Sequence, residues 1–373
     1  MNVPLADLHQ QYLSIKSDID AAIQRVIGSS QFILGDAVSE FETAFARMHG
    51  ASHCIAVGSG TDALHATLWA AGIRQGDVVV TTPFTFIATL EAISLAGATP
   101  ALIDIDPQTF TMDPAKLEEF LVSSNARLTK AVIPVHLYGQ ACDMDRIHQL
   151  ALTHGIQVVE DACQAHLAKF DGVFVGNFGL AACFSFYPGK NLGAFGEAGA
   201  VVTNDAGLEK NIRRLRDHGQ VAKYKHATVG HNYRMDGIQG AVLGAKLGRL
   251  QGWTDRRRAI AATYRKLLHG VGDLVLPYES SRAYHVYHLF TVRTQHRDAL
   301  QKYLASNHIS TAIAYPIPLH FQGAYAHLAY GQGSFPQSER AAEECISLPL
   351  FAEMTDEQVG YVSESVGAFF NRS

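Results

Sequence analysis

The chain lacks the paired cysteines that staple a small secreted fold or seat a structural zinc. Its five cysteines, Cys54, Cys142, Cys163, Cys183 and Cys345, are odd in number and none stands in C-x-x-C spacing. They are expected as buried free thiols in a reducing cytoplasm. No apolar run approaches the roughly 20 residues of a membrane-spanning helix, so no membrane association is expected. The first residues, Met1 to Asp7, carry an acid and no apolar core, unlike a secretory signal. Positive charge is also short: 30 Lys and Arg against 35 Asp and Glu leave a net −5, which offers no footprint for nucleic acid. The one basic cluster, Arg256-Arg257-Arg258, reads as a solvated helix face. Neither H-E-x-x-H, G-x-S-x-G nor G-x-x-x-x-G-K-[ST] occurs, so no zinc protease, acyl hydrolase or nucleoside triphosphatase is indicated. No metal site is expected. Asp104 and Asp106, beside Pro107, read as a turn rather than ligands.

What remains is an ordinary globular composition, 47% hydrophobic and 17% charged. A chain of 373 residues is long for one core. The pattern divides into a large domain over 1–250, with helices at its start, and a smaller α+β domain over 251–373. Helical spacing covers Ser14 to Ile23, and, after a break at Gly35, Val38 to Met48. From Ile55 short apolar runs alternate with helical stretches. Strands are predicted at Asp77–Val80, Ala101–Ile105, Lys130–Val135 and Ile156–Val159, and helices at Thr89–Leu95, Pro114–Leu121 and Met144–His154. This alternation is an α/β pattern with a largely parallel sheet. The strands end near Thr203. A helical region is expected from Leu208 to about Leu268, with Asp236 as a cap on its second part. His288–Val292 reads as a strand of the smaller domain.

Three pieces carry chemistry, in chain order. Gly58-Ser59-Gly60-Thr61-Asp62-Ala63-Leu64 is a small-residue turn opening a helix, which suits a phosphate. Gln157-Val158-Val159-Glu160-Asp161 is a buried strand ending in acids, and such strand ends face the ligand crevice of parallel sheets. Phe184-Ser185-Phe186-Tyr187-Pro188-Gly189-Lys190 sets one lysine among apolar and turn residues. Amine, carboxylate and phosphate seat together are what pyridoxal 5'-phosphate (PLP) needs. The lysine forms an imine with its aldehyde, and an acid keeps its ring nitrogen protonated. Each piece has a plain alternative. Most lysines are simply solvated, Asp161 could cap a turn, Phe86 could be core, and Gln164 and His166 could be structural hydrogen bonders. Ser185 could add a hydroxyl to the phosphate seat. Gly193, Gly196 and Gly199 fit either tight turns after Lys190 or a hairpin.

Taken in order, the segments Val3–Leu8, Phe32–Gly35, Gly58–Leu64, Pro83–Thr89, Pro134–Gln140, Glu160–His166, Phe184–Gly193 and Asn232–Asp236 resemble the DegT/StrS group of PLP-dependent sugar aminotransferases. The resemblance implies the aspartate-aminotransferase fold (PLP fold type I). It implies that Lys190 holds the cofactor and Asp161 pairs with its ring nitrogen. Gln164 would touch the ring hydroxyl, Gly60, Thr61 and Ser185 would bind phosphate, and Phe86 would cover the ring. Asn232 would reach the phosphate of a second subunit's cofactor, making a homodimer with shared active sites. Tyr187–Ala194 and Tyr315–His320 resemble members that aminate the 3-keto carbon of nucleotide-linked deoxyhexoses. That places Tyr187, His166, Tyr315 and His320 toward the sugar, with glutamate as amino donor and a dTDP- or UDP-linked keto-sugar as acceptor. A sugar dehydratase or epimerase, a 4-aminotransferase and a non-catalytic regulator are the competing readings. Ala198 stands where glycine is common, and Gly58 where a polar residue is common. The first is expected to be tolerated and the second to remove one phosphate-side hydrogen bond.

Overall fold

The computed structural model describes residues 1–123 and 126–371. Its centre is a seven-stranded sheet. In chain order its strands are β1 (His53–Val57), β2 (Val78–Thr81), β3 (Thr99–Leu102), β4 (Thr129–Val132), β5 (Gln157–Asp161), β8 (Ala181–Ser185) and β9 (Gly199–Thr203), with a separate short hairpin, β6 (Lys169–Phe170) and β7 (Val173–Phe174), between β5 and β8. The spatial order is β1-β9-β8-β5-β4-β2-β3. β9 runs antiparallel to both β1 and β8, while β8, β5, β4, β2 and β3 pair in parallel. The sheet strands are short, with β-branched and small apolar residues buried on both faces, as helix-covered sheets require. Val79, Val80, Ala131, Val132, Val159, Ala181, Ala182, Val201 and Val202 are all essentially inaccessible.

Helices α1 (Leu8–Ser14), α2 (Lys16–Ser29), α3 (Asp36–Met48), α4 (Gly60–Ala70), α5 (Ala88–Leu95), α6 (Pro114–Leu121), α7 (Met144–His154), α8 (Ala206–Arg216) and α9 (Gly237–Leu247) cover this part. α4 is apolar on nearly every side and lies buried, so tertiary packing holds it. A second core gathers around an antiparallel pair. It contains α10 (Leu250–Leu267), α11 (Arg297–Ser306) and α13 (Asp356–Phe370), with strands β13 (Phe290–Arg293) and β14 (Cys345–Leu348). Val3 belongs to this core too, bridged to Ile309. Strand β12 (Ala283–Tyr284) extends the β6–β7 hairpin, and α12 (Pro336–Glu344) precedes β14.

Three expectations need correction and one holds in part. The stretch from Leu208 to Leu268 is not continuously helical. α8 stops at Arg216, and strands β10 (Gln220–Ala222) and β11 (Lys225–His226) form a hairpin before α9 begins. His218 is left-handed there, with φ +56°, and Gly219 N donates back to Arg214 O at 2.8 Å, the turn that ends α8. Asp236 holds the N-cap position of α9 as expected, but its side chain makes no capping bond. Arg257 is buried rather than solvated, donating to the carbonyls of Tyr287 and Leu350. Asp104 does not simply shape a turn. It accepts from Gln337 N (2.8 Å), Ser338 N (2.9 Å) and Ser338 Oγ (2.6 Å), capping α12 from 233 residues away. Asp106 does make the expected turn, accepting from the amides of Gln108 and Thr109.

Candidate active site

Because β1, β2, β5 and β8 point the same way, their carboxyl ends open on one edge of the sheet. Crevices at such edges are where α/β sheets bind ligands. Each strand delivers one sequence-predicted segment there. β1 leads to Ser59–Thr61, β2 to Thr82–Phe86, β5 to Asp161–Gln164 and β8 to Ser185–Lys190.

The β1 segment makes the anion seat. Ser59 Oγ caps α4, accepting from Asp62 N at 3.0 Å. Helix geometry leaves the amides of Gly60 and Thr61 without intrahelical acceptors, at the positive end of the helix dipole. Gly60 is required by close approach: a Cβ there would sit 2.7 Å from Ser185 Cβ and 2.9 Å from Cys163 Sγ. The same contact fixes Ser185 beside the helix start. At Gly58 the room a side chain would take is held by Asp62, whose Oδ2 would lie 2.7 Å from an added Cβ. Burial, with Glu197 nearby, raises the Asp62 carboxyl to about 6. Ala198, in place of glycine, is accommodated in the core.

The β5 segment carries the acid. Asp161 is only 5% exposed. Its Oδ2 accepts from Thr89 Oγ1 at 2.8 Å and its Oδ1 from Cys163 N at 3.2 Å. Gln164 Oε1 accepts from Tyr138 N (2.8 Å), while its Nε2 donates to Tyr315 OH (3.0 Å). Tyr315 in turn lies 5.8 Å from Phe86, centroid to centroid. Phe86 is 54% exposed, unusual for a phenylalanine, so it presents its ring to the crevice side rather than to the core.

Lys190 stands in a turn closed by its own amide donating to Tyr187 O at 2.8 Å. Its neighbour Asn191 is buried and fixed by donation to Val286 O at 3.0 Å. Burial pushes the Lys190 ammonium below the ordinary lysine value, and the Asp161 carboxylate opposes that shift. Lysine and acid thus lie within one electrostatic neighbourhood, delivered by two adjacent parallel strands. Tyr187 is exposed beside them. Gly193, Gly196 and Gly199 all have ordinary φ angles, so the antiparallel β8–β9 connection does not use them as left-handed turns. Gly193 instead allows a close pass, with an added Cβ only 2.2 Å from Pro188 O.

Two predicted sugar contacts lie deeper than expected. His166 is wholly buried against Phe184 and Phe186, at 5.5 and 5.4 Å between ring centroids. Burial, followed by His49 and Lys190, holds its pKa well below the ordinary histidine value. His320 is buried between Phe321 and Phe335, with Nε2 3.2 Å from Glu339 Oε1. Neither imidazole is presented to solvent, because both fill aromatic packing. Asn232 is exposed and accepts from Arg234 Nε at 2.9 Å. The adjoining Tyr233 O accepts from Gly58 N at 2.9 Å, so this segment runs beside the phosphate turn. Sequence reasoning missed Thr89 as the partner of Asp161. Thr89 closes the quoted Pro83–Thr89 segment, but no local pattern links it to an acid 72 residues away.

The residues present fit PLP. The crevice holds a free-amide helix start for phosphate, a fixed carboxylate for the ring nitrogen, an exposed aromatic face, and an amine whose charge is disfavoured.

Residues 13–367 match the model of the DegT/DnrJ/EryC1/StrS aminotransferase family. A "Pleiotropic regulatory protein" from Geobacillus stearothermophilus is 47% identical over 372 residues, covering 99% of each chain. The dTDP-3-amino-3,4,6-trideoxy-alpha-D-glucose transaminase of Streptomyces venezuelae is 41% identical over 370 residues, covering 99% of this chain and 97% of its own. The crystal structure of S. venezuelae DesV in complex with a ketimine intermediate superposes with a TM-score of 0.96 at 41% identity, over 100% of this chain and 99% of that one. Match and geometry agree over nearly the whole length, and the chain belongs to the DegT/DnrJ/EryC1/StrS aminotransferase family.

Proposed function

We propose that the chain is a PLP-dependent aminotransferase that moves the amino group of glutamate to the 3-keto carbon of a dTDP- or UDP-linked deoxyhexose. The observation that carries this is that the adjacent parallel strands β5 and β8 lead to Asp161 and to the Lys190 turn at one edge of the sheet, beside the open N-terminus of α4. Relatives named as nucleotide-sugar 3-aminotransferases support the acceptor class.

Bound PLP supplies an electrophilic aldehyde and a protonated ring that accepts the electron pair left when a carbon-bound proton departs. The chain's own groups do the rest. Asp161, held by Thr89 and the Cys163 amide, keeps a proton on the ring nitrogen. Gly60, Thr61 and Ser185 seat the phosphate. Phe86 covers the ring and Gln164 faces its hydroxyl. Lys190 Nζ would hold the cofactor's aldehyde and, as a free neutral amine, would be the group that takes up and gives back the proton of the donor's α-carbon. Burial favours the neutral amine that this proton transfer needs. Tyr187 and Tyr315 border the acceptor side, with His166 and His320 packed behind. Asn232 completes the site of a second copy, so the working unit is a homodimer in the cytoplasm. The division into a large domain over 1–250 and a small one over 251–373 is part of this reading, with Tyr315 and His320 supplied by the smaller one.

Borohydride reduction of the holoprotein followed by peptide mapping should find the cofactor on Lys190. Glutamate with a panel of dTDP- and UDP-linked 3- and 4-keto-sugars should release one 2-oxoglutarate per amino-sugar. Amination only at C-4 would move the chain to the 4-aminotransferases. Sugar turnover without 2-oxoglutarate would make it a dehydratase or epimerase.

A further inference from the structure

The turn that carries Lys190 is tied at both ends. On the β8 side, Ala194 N donates to Phe186 O at 2.8 Å. On the far side two side chains of α9 take hold. Lys246, 2% exposed, donates from Nζ to Gly193 O at 2.7 Å and lies 4.5 Å from the centre of the Phe195 ring. Gln239 Oε1 accepts from Phe195 N at 2.9 Å. Positions 239 and 246 are seven apart, two helical turns, and so share one face of α9. One donates and the other accepts, two residues apart on the same strip of chain. A buried cation is costly to keep unless a partner compensates it. Nothing in the transamination chemistry described above uses Lys246.

We propose that α9 clamps the Lys190 turn through Lys246 and Gln239, and that this clamp, rather than the turn alone, sets where Lys190 Nζ meets the cofactor. The inference rests on Lys190 being the lysine that holds the cofactor. The tight pass of Gly193 against Pro188 makes the clamp effective, because the turn cannot absorb a shift of Gly193 without moving Pro188 and the lysine after it. The bond to Gly193 O does not depend on the charge of Lys246. Burial lowers that lysine to about 8, and ammonium and amine both donate. Lys246 and Gln239 are therefore positioning residues.

The test uses holoprotein and three variants. Lys246→Met keeps bulk and removes the donor, Gln239→Leu removes the acceptor, and Gln239→Glu restores it. Three readouts are taken: the pH midpoint of the bound cofactor's visible absorbance, amide hydrogen exchange across 190–196, and kcat against KM for glutamate. A misplaced reacting atom costs roughly tenfold to a hundredfold in rate. Lys246→Met and Gln239→Leu should lower kcat in that range with KM within about twofold, shift the absorbance midpoint and speed exchange. Gln239→Glu should return all three to wild type. Should Lys246→Met fail to fold, the Gln239 pair decides alone, since that residue is only half-buried. Folded variants with wild-type midpoint and exchange overturn the clamp. Borohydride labelling of a lysine other than Lys190 in wild type overturns the assignment beneath it, a result separable from the first.

Discussion

At the scale of single residues, the site is a set of charges whose states are fixed by surroundings. Lys190 shows this most clearly. Its folded-state pKa lies below the ordinary 10.5, so the folded chain sheds that proton before the unfolded chain does. Holding Lys190 charged therefore costs stability at pH values below its depressed pKa. The cost is relieved as pH rises toward the unfolded value. In cofactor-free protein, the rate of PLP capture by Lys190 should rise with pH and level off at a midpoint below that of a free lysine. Stopped-flow absorbance across the alkaline range reads it directly, and a midpoint at or above 10.5 contradicts the burial argument. Lysine and acid were legible in the sequence because each sits in a short segment whose chemistry is local. Thr89, which holds Asp161, was not. Its role exists only once β2 and β5, with β4 between them, bring their carboxyl ends to one edge of the sheet, and a threonine in a helix start looks the same whether or not it faces a carboxylate.

Elements were read well where one pattern spans them and poorly where the chain changes direction. α6 and α7 have the boundaries that spacing predicts, from Pro114 to Leu121 and from Met144 to His154. Each begins after an aspartate whose side chain accepts a first-turn amide. The β10–β11 hairpin was lost in a region read as helix, since its strands are only three and two residues long and carry no period of their own. Asp104 exposes a different limit. Its position beside Asp106 and Pro107 looks like turn chemistry, while three of its four side-chain hydrogen bonds go to α12 and one to the Ile105 amide. α12 has no capping side chain of its own, so Asp104 supplies from afar what an N-cap residue normally supplies locally. Asp104→Ala should cost about 1–3 kcal/mol, the range for stranding buried amides and a hydroxyl. Asp106→Ala, which loosens an exposed turn, should cost less. Urea denaturation of both variants checks the order, and equal losses would return Asp104 to an ordinary turn residue.

At the scale of the molecule, the crevice described in one chain borders a surface that a lone subunit would leave unusually apolar. Val221 and Val229 are more than half exposed and Tyr224 is 83% exposed, all on or beside the β10–β11 hairpin that leads to Asn232. Phe32 and Ile33 are about half exposed, and Ile33 bridges to Asp236 on the same segment. Exposed apolar side chains on one hairpin and beside it suit an interaction surface, and a second copy is the occupant that the proposed role of Asn232 requires. On the proposed reading a twofold interface would place each hairpin against the other subunit, and lysine and asparagine of one functional site would come from different chains. That arrangement can be tested by mixing two inactive parents. Lys190→Ala and Asn232→Ala subunits, unfolded and refolded together, would form hybrids in half of the dimers. Each hybrid holds one doubly impaired site and one site with both residues intact, so about one quarter of all sites should regain function. Activity of the mixture above the sum of its parents is the expected result. If mixing yields only that sum while native mass spectrometry of differently tagged parents shows hybrids forming, each subunit builds its site alone and Asn232 serves its own chain.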